Sequence, residues 1–167
     1  QARRDLERLN VVVRSSNYAL YADMSQRLMS LLECQAEELE IYSIDEAFFT
    51  LPNSPDSEDI CHGIRRQVEK YTGVPISIGL STSKTLAKVA AKLAKKSSGV
   101  TALSSLSHQN ILSALPVEDI WGIGRRLSKR LKGYGVQSAW DLHNCDDQWL
   151  LKRFGICGLR TCHELRG

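Results

Sequence analysis

Strand-like and helix-like patterns alternate over the first hundred residues of this chain, and the strand-like patterns then stop. Apolar residues recur at spacings of three and four in three segments, which predicts helices over 18–32, 60–71 and 86–93. Residues typical of strands fill the segments around them, at 10–14, 39–51, 74–80 and 100–102. The run 39–51 is much longer than a typical strand of about 5 to 6 residues, so we expect a hairpin turn at its polar centre, Ser43 to Glu46.

This order of elements predicts an α+β fold, close to the ferredoxin-like pattern in which helices pack on one face of a sheet. Beyond Pro116 only short helical patterns remain, which indicates a small all-helical module with helices expected over 117–121, 124–132, 138–143, 146–153 and 158–165. We place the boundary between the two domains after residue 107, giving ranges of 1–107 and 108–167. The chain begins and ends in mid-pattern, and we expect it to be a piece of a longer protein.

Charge is distributed unevenly between the two halves. Residues 1–82 hold 8 Lys/Arg and 13 Asp/Glu, whereas residues 83–167 hold 14 and 6. Two basic segments contain no acid, at 84–96 and 125–132. They favour a polyanionic partner, although solvated helix faces are the alternative reading.

Length and composition exclude several classes of protein. With 43% hydrophobic and 25% charged residues in 167, the chain is neither collagen-like nor strongly disordered. It has no long apolar run and no signal peptide, so we expect a cytoplasmic protein that does not enter a membrane. Its five cysteines contain no CxxC pair, so we expect reduced thiols. Cys145, Cys157 and Cys162 lie near two histidines but show no zinc spacing, so we expect them to pack in the core.

Two adjacent carboxylates, Asp45 and Glu46, lie at the expected turn. Successive side chains of a straight strand point to opposite faces, so both can serve one site only if the backbone bends there. Carboxylate oxygens suit Mg²⁺, which typically takes one or two of them together with substrate phosphates. An acidic surface turn is the alternative. We favour the metal site because apolar flanking residues are expected to bury the hairpin and a strongly basic helix lies in the same predicted domain.

Four lysines of the third predicted helix are spaced to form one stripe opposite its apolar side: Lys84, Lys88, Lys92 and Lys95. The stripe suits a triphosphate or a DNA backbone, and a solubilising face is the alternative. The segment Ser81 to Ser83 precedes this helix and suits either phosphate binding or helix capping, of which we favour capping.

A glycine-containing turn in the helical module carries the second candidate site. Gly122 and Gly124 lie between two helical patterns, and Arg125, Arg126 and Lys129 follow. Glycines let a turn approach another backbone closely, and the next helix then presents its N–H groups and cations to a phosphate. This predicts a sequence-independent grip on DNA.

Three segments, IYSIDEAFF at 41–49, SIGLSTSKTLAKVAAKLAKK at 77–96 and LPVEDIWGIGRR at 115–126, together resemble the Y-family translesion DNA polymerases. YALYADMSQRLMS at 18–30 and the WGIGRR form are most similar to the UmuC/MucB branch, which provides the catalytic subunit of bacterial DNA polymerase V. The resemblance implies a palm over 1–107 and a thumb with a helix-hairpin-helix over 108–167. It also implies nucleotidyl transfer on primer-template DNA with dNTP and two Mg²⁺ ions.

The resemblance assigns roles to individual residues. Asp45 matches the metal-bridging aspartate of the family's SIDEA motif, and Glu46 matches the glutamate beside it. Lys95 matches the lysine that contacts the incoming triphosphate, with Lys96 as a possible substitute. The thumb hairpin that binds the duplex backbone is matched by Gly122, Gly124, Arg125 and Arg126.

The family's first metal aspartate, on an amino-terminal strand, has no match here, nor do its fingers and little-finger domains. We therefore expect the palm to lack its N-terminal strand, with the sheet edge exposed or covered by self-association, and the fragment to be inactive alone. A UmuD′-like subunit, a RecA filament and the sliding clamp are partners that the resemblance implies. A non-catalytic helix-hairpin-helix DNA-binding module is the main alternative function, and a pure interaction scaffold is a third.

Overall fold

The computed structural model describes residues 2–52, 54–103 and 108–167, in which helices predominate over four short strands. The elements, in chain order, are α1 (Ala2–Arg8), α2 (Tyr18–Glu33), β1 (Glu38–Ile41), β2 (Ala47–Thr50), α3 (Ser57–Thr72), β3 (Ile78–Leu80), α4 (Lys84–Ala94), β4 (Val100–Ala102), α5 (His108–Ala114), a 3₁₀ turn (Val117–Asp119), α6 (Arg125–Gly133), α7 (Ala139–His143) and α8 (Asp147–Arg166). The α+β class is confirmed. The chain divides into two compact units, residues 1–49 and 50–167.

In the first unit, the long amphipathic helix α2 precedes the β1–β2 hairpin. Asn17 caps α2 by accepting a hydrogen bond from the Leu20 N–H at 3.1 Å, and the buried Met29 and Leu32 lie on one side of the helix. The strand expected at 10–14 is wrong, because the described residues contain no strand there and Val12 is 72% exposed. A β-branched run becomes a strand only when a neighbouring strand supplies hydrogen bonds.

The second unit begins with a βαβ arrangement. Strands β3 and β4 run parallel with Ile78 opposite Val100, and helix α4 makes the connection between them. Strand β3 is shorter than expected, because residues 74–77 make no ladder and Pro75 has no N–H to donate. Among the described residues the four strands form two separate pairs, β1–β2 and β3–β4, not one continuous sheet.

Gly79 brings β3 unusually close to α4. A Cβ at this position would lie 2.2 Å from both the Ala87 carbonyl oxygen and the Ala91 nitrogen, so only glycine fits against the helix backbone. This contact fixes the distance between the sheet and the lysine-bearing helix.

Short helices complete the second unit around one hydrophobic core. Its buried members come from α4 as well as from the C-terminal helices, and include Leu86, Leu112, Leu131, Leu142 and Leu165. The boundary expected after residue 107 falls at residues 104–107, which lie outside the described residues, so the palm and thumb ranges stay a prediction. The helix expected over 117–121 is a single 3₁₀ turn, and the last two expected helices are the two parts of α8, which kinks at Gly155.

None of the helices in the described ranges has both the length and the apolar character that crossing a bilayer requires.

Candidate active-site hairpin and nucleic-acid interface

The β1–β2 connection is a tight turn that brings Asp45 and Glu46 to its tip. The Glu46 carbonyl accepts hydrogen bonds from the N–H groups of Tyr42 and Ser43, each at 3.0 Å. Asp45 Oδ1 accepts a further hydrogen bond from the Ser43 hydroxyl at 2.7 Å, which fixes the aspartate within the turn. The expected break in the 39–51 run is therefore confirmed, and the two acids lie on a bend.

The apolar flanks of the hairpin are not buried as expected. Ile41 is 58% exposed and Ile44 is 48% exposed, while Tyr42 makes an edge contact with Phe48 at 5.9 Å between ring centroids. Asp45 is exposed and Glu46 is half-buried. The burial expectation is wrong because α2 and one short hairpin supply too little apolar surface to cover these side chains within the first unit.

The donor set of the hairpin suits a hard divalent cation that also binds a substrate. No group of three or more His, Cys, Asp and Glu side chains is arranged to hold a metal among the described residues. Two neighbouring carboxylates match the way Mg²⁺ is held by one or two protein carboxylates, with substrate phosphates and water completing its octahedron. Asp45 and Glu46 are therefore the residues of the hairpin that could hold such an ion.

Helix α4 begins at a cap, as expected from Ser81 to Ser83. The Ser83 hydroxyl accepts a hydrogen bond from the Leu86 N–H at 3.2 Å. The Glu164 side chain of α8 adds a carboxylate at the same end, where its Oε2 accepts from the Thr85 N–H at 2.9 Å. Capping is confirmed, and in this structure a protein carboxylate occupies the place considered for a phosphate.

The lysine stripe lies opposite the buried side of α4. Leu86, Val89 and Ala90 are buried, whereas Lys84, Lys92 and Lys95 are exposed and Lys88 is half-buried. Lys92 forms an ion pair with Asp119 at 2.8 Å, so part of the stripe is already neutralised by the 3₁₀ turn. Lys95 is the C-cap residue of α4, and Lys96 is an exposed residue in the turn that follows. Lys95 lies in the second unit, and Asp45 and Glu46 lie in the first.

Two glycines form the turn before α6. Gly122 has a φ of 84°, which favours glycine, and Gly124 has a φ of −79° as the N-cap residue. A Cβ at either position would meet nothing within 4 Å in the chain. Neither the φ of Gly124 nor packing within the chain therefore requires a glycine at this position. This favours close approach of another molecule to the turn.

The first turn of α6 is free to meet an anion. Gly124 has no capping side chain and no acidic residue lies in this turn, so the N–H groups of the turn donate no hydrogen bond to an N-cap side chain. Arg125, Arg126 and Lys129 are all exposed around it. Lys132, at the far end of the helix, forms an ion pair with Glu118 at 2.6 Å, which also holds the pKa of Glu118 below its usual range.

The cysteines are free thiols, but the core position expected for those of the C-terminal third is wrong for Cys157, which is exposed, and holds fully only for Cys162. Cys61 and Cys162 are fully buried, and burial raises the pKa of each thiol to about 11. The Cys162 Sγ–H points at the Leu142 carbonyl at 3.1 Å. These thiols belong to the packing of the second unit.

The sequence reasoning missed Glu164, because 79 residues separate it from Thr85 and nothing in the local pattern of α8 indicates the contact. It also missed the exposed aromatic and arginine side chains where α6 meets α8. The sequence did contain an indication of this cluster. Tyr134 follows the basic segment directly, and Arg153 and Phe154 are adjacent.

Comparison with known proteins adds two family matches. Residues 1–92 match the impB/mucB/samB family, and residues 107–136 match the motif described as the IMS family HHH motif. These ranges contain the acidic hairpin and the Gly122–Gly124 turn respectively.

Individual relatives and solved structures agree with this. The chain is 45% identical to Protein UmuC of Salmonella typhimurium over 168 aligned residues, covering 96% of this chain and 40% of that protein. It is 33% identical to a DNA polymerase IV of Methanoculleus marisnigri, covering 88% of this chain and 41% of that one. The insertion ternary complex of Dbh DNA polymerase superposes with a TM-score of 0.75 at 26% identity, over 89% of this chain and 44% of that one. The chain thus spans about 40% of the length of the curated relatives.

Proposed function

Because the chain belongs to the impB/mucB/samB family, we propose that it is the palm and thumb portion of a Y-family DNA polymerase that copies damaged templates. The main observation that supports the proposal is that two features occur in the same chain: a turn with two adjacent carboxylates, and a glycine turn before a basic helix. Residues 1–107 would be the palm and 108–167 the thumb.

Asp45 and Glu46 would hold Mg²⁺ at the hairpin. When bound, the ion would stabilise charge on the primer hydroxyl and on the phosphates during nucleotidyl transfer. The Ser43 hydroxyl contributes by donating to Asp45 Oδ1, which limits rotation of that carboxylate and leaves its other oxygen for the cation.

Lys95 would contact the triphosphate of the incoming dNTP, with Lys96 beside it as the alternative. The turn at Gly122 and Gly124, together with Arg125, Arg126 and Lys129, would bind the backbone of primer-template DNA. These contacts are to phosphates and are independent of sequence, which suits a polymerase that moves along its template. A UmuD′-like subunit, a RecA filament and the sliding clamp are proposed partners of the whole protein.

The 167 residues alone would not extend a primer, because two carboxylates are too few to hold both ions of a two-metal site well. Extension of a primed template by this chain with Mg²⁺ would contradict this. The comparison requires a longer chain of the same family as the positive control under identical conditions.

Mn²⁺ binding tests the metal site directly. Mn²⁺ is titrated against the parent chain, against Asp45→Asn and against Asp59→Asn, which alters an exposed acid in the first turn of α3. We expect Asp45→Asn to weaken binding at least tenfold and the control to match the parent. Equal affinity in all three chains would remove Asp45 from the site.

A non-catalytic DNA-binding module is the second candidate, favoured by the open first turn of α6. It predicts duplex binding that weakens with salt but is indifferent to Mg²⁺ and to Asp45→Asn. Gly124→Ala tests the hairpin in both cases, because it places a methyl group at the turn and should change stability by less than about 1 kcal/mol. Duplex affinity should fall at least fivefold, and unchanged affinity would exclude the hairpin from the interface.

A further inference from the structure

A cluster of aromatic and arginine side chains lies where α6 meets α8, with Trp149 and Phe154 half-buried against the core and the two arginines exposed. Tyr134 makes edge contacts with Trp149 and Phe154, at 5.5 and 5.9 Å between ring centroids. The Arg130 guanidinium lies 5.0 Å from the centre of the Phe154 ring, and that of Arg153 lies 5.5 Å from the centre of the Tyr134 ring. Tyr134 is nevertheless 50% exposed, so the cluster is part of the surface.

Hydrogen bonds hold both guanidinium groups in place. Arg130 Nη2 donates to the Arg153 carbonyl, and Arg153 Nη1 donates to the Tyr134 hydroxyl at 3.3 Å. A guanidinium carries five N–H donors, so each arginine keeps several for a ligand. Stacking on an aromatic ring fixes the planar group in advance, which lowers the entropy lost when it binds a phosphate.

No carboxylate among the described residues neutralises these arginines. In the part of the chain that the structure describes, neither Arg130 nor Arg153 comes within 4.0 Å of an Asp or Glu oxygen, whereas Lys132 and Lys92 each pair with an acid. Buried aromatic packing does not require two unpaired cations at its edge. Their charge is available to an anion from outside the chain.

The cluster continues the cationic face of α6. At 100° per residue, Arg126 and Arg130 lie one above the other with Lys129 beside them, and Ser128 and Leu131 are buried on the other side. Ten residues separate Gly124 from Tyr134, about 15 Å along a helix at 1.5 Å per residue.

We propose that this surface, Arg126, Lys129, Arg130 and Arg153, is a backbone-binding track that continues from the glycine turn along the same DNA duplex. The inference deepens the proposed function and rests on it, since the turn sets where the duplex begins. Arginine favours phosphate because its fork binds two oxygens at once. The track extends one line of cations that starts at the uncapped end of α6, which favours a long regular polyanion over an acidic protein segment.

The double variant Arg130→Gln with Arg153→Gln tests the track. Duplex affinity of the full chain is measured by fluorescence anisotropy across a salt series, with Arg66→Gln, which removes one exposed charge from α3, as the control. The slope of log affinity against log salt should become shallower by about 2, roughly one per lost phosphate contact. A duplex too short to pass beyond the glycine turn should bind the parent and the double variant equally.

A slope equal to that of Arg66→Gln would overturn the proposal. If Gly124→Ala weakens binding but the double variant does not, the track fails and the hairpin stands; if neither does, both fail. Loss of binding to polyglutamate with unchanged duplex binding would assign the surface to an acidic protein and also overturn the track. If the double variant unfolds, Arg153→Lys replaces it as the test. This change keeps the charge but removes the planar fork of the guanidinium. An affinity for the long duplex equal to that of the parent would then count against the proposal.

Discussion

The Glu164 carboxylate lies on the N-terminus of α4 and accepts hydrogen bonds from both the backbone N–H and the hydroxyl of Thr85. Thr85 is only 2% exposed, so water does not replace this partner easily. The contact joins the last helix of the chain to the helix that carries Lys95. Glu164 also provides a backbone carbonyl that accepts the Ser83 hydroxyl, so two cap residues depend on the same turn of α8.

Glu164→Ala should destabilise the second unit by about 1–3 kcal/mol, because it leaves the buried Thr85 hydroxyl and an N–H of the first helical turn without an acceptor. The measurement is the free energy of unfolding from urea titration followed by circular dichroism. Gln148→Ala, an exposed change on the same helix, is the control and should lie within about 0.5 kcal/mol of the parent. A Glu164→Ala chain as stable as that control would show that the capping contact contributes nothing in solution.

Gly79→Ala should cost at least about 1–3 kcal/mol, the typical cost of overpacking, because its Cβ would overlap backbone atoms of α4 that cannot move independently. Gly63→Ala on α3 is the matched control, since a Cβ there meets nothing within 4 Å. It should stabilise the chain by about 0.5–1 kcal/mol through helix propensity. The two changes add the same methyl group, so equal effects in thermal unfolding would contradict the close approach of β3 to α4.

Local patterns predicted those parts of the fold in which neighbouring residues determine the structure. The apolar spacing over 18–32 and 60–71 became α2 and α3. One face of α3 is buried along the helix, whereas in α2 only Met29 and Leu32 near its end are buried. The polar centre of the run 39–51 became the hairpin turn because Ser43 and Asp45 form hydrogen bonds with each other within the turn. The strand predicted from the valines of 10–14 was wrong, because a strand depends on a partner strand elsewhere in the chain.

Local sequence patterns did not predict the contacts between distant segments. Asp45, Glu46 and the glycine turn were identified from residue type and local spacing, and each lies in the kind of turn expected. Glu164 was not identified, since its role depends on the packing of α8 against α4. The shared core of α4 and the C-terminal helices was missed for the same reason.

Asp147 should make the stability of the folded chain depend on pH in the acidic range. Hydrogen bonds from His163 and Arg166, each at 2.7 Å, hold the pKa of Asp147 below its ordinary value of 3.8. A depressed folded pKa stabilises the native state above the unfolded value, and this contribution is lost as pH falls through the folded pKa. The unfolding midpoint of the parent should therefore exceed that of Asp147→Asn at pH 6, and the difference should shrink progressively below about pH 4.

Asp59→Asn provides the comparison for that series, since it removes an exposed acid of the same type that makes no ion pair in the described part of the chain. A parent and an Asp147→Asn chain whose midpoints differ by the same amount at every pH would contradict the role of Asp147.

The cysteines should divide into two classes of reactivity. Cys61 and Cys162 are fully buried with a thiol pKa raised to about 11 by burial, whereas Cys34 and Cys157 are exposed. The thiolate is the reactive form, and a raised pKa keeps it scarce at neutral pH. Iodoacetamide at pH 7.5 should therefore label the exposed pair in the folded chain and all five cysteines only in denaturant, with mass spectrometry of the peptides as the readout. Labelling of Cys61 in the native chain as fast as that of Cys34 would contradict the packing of α3 against β3 and β4.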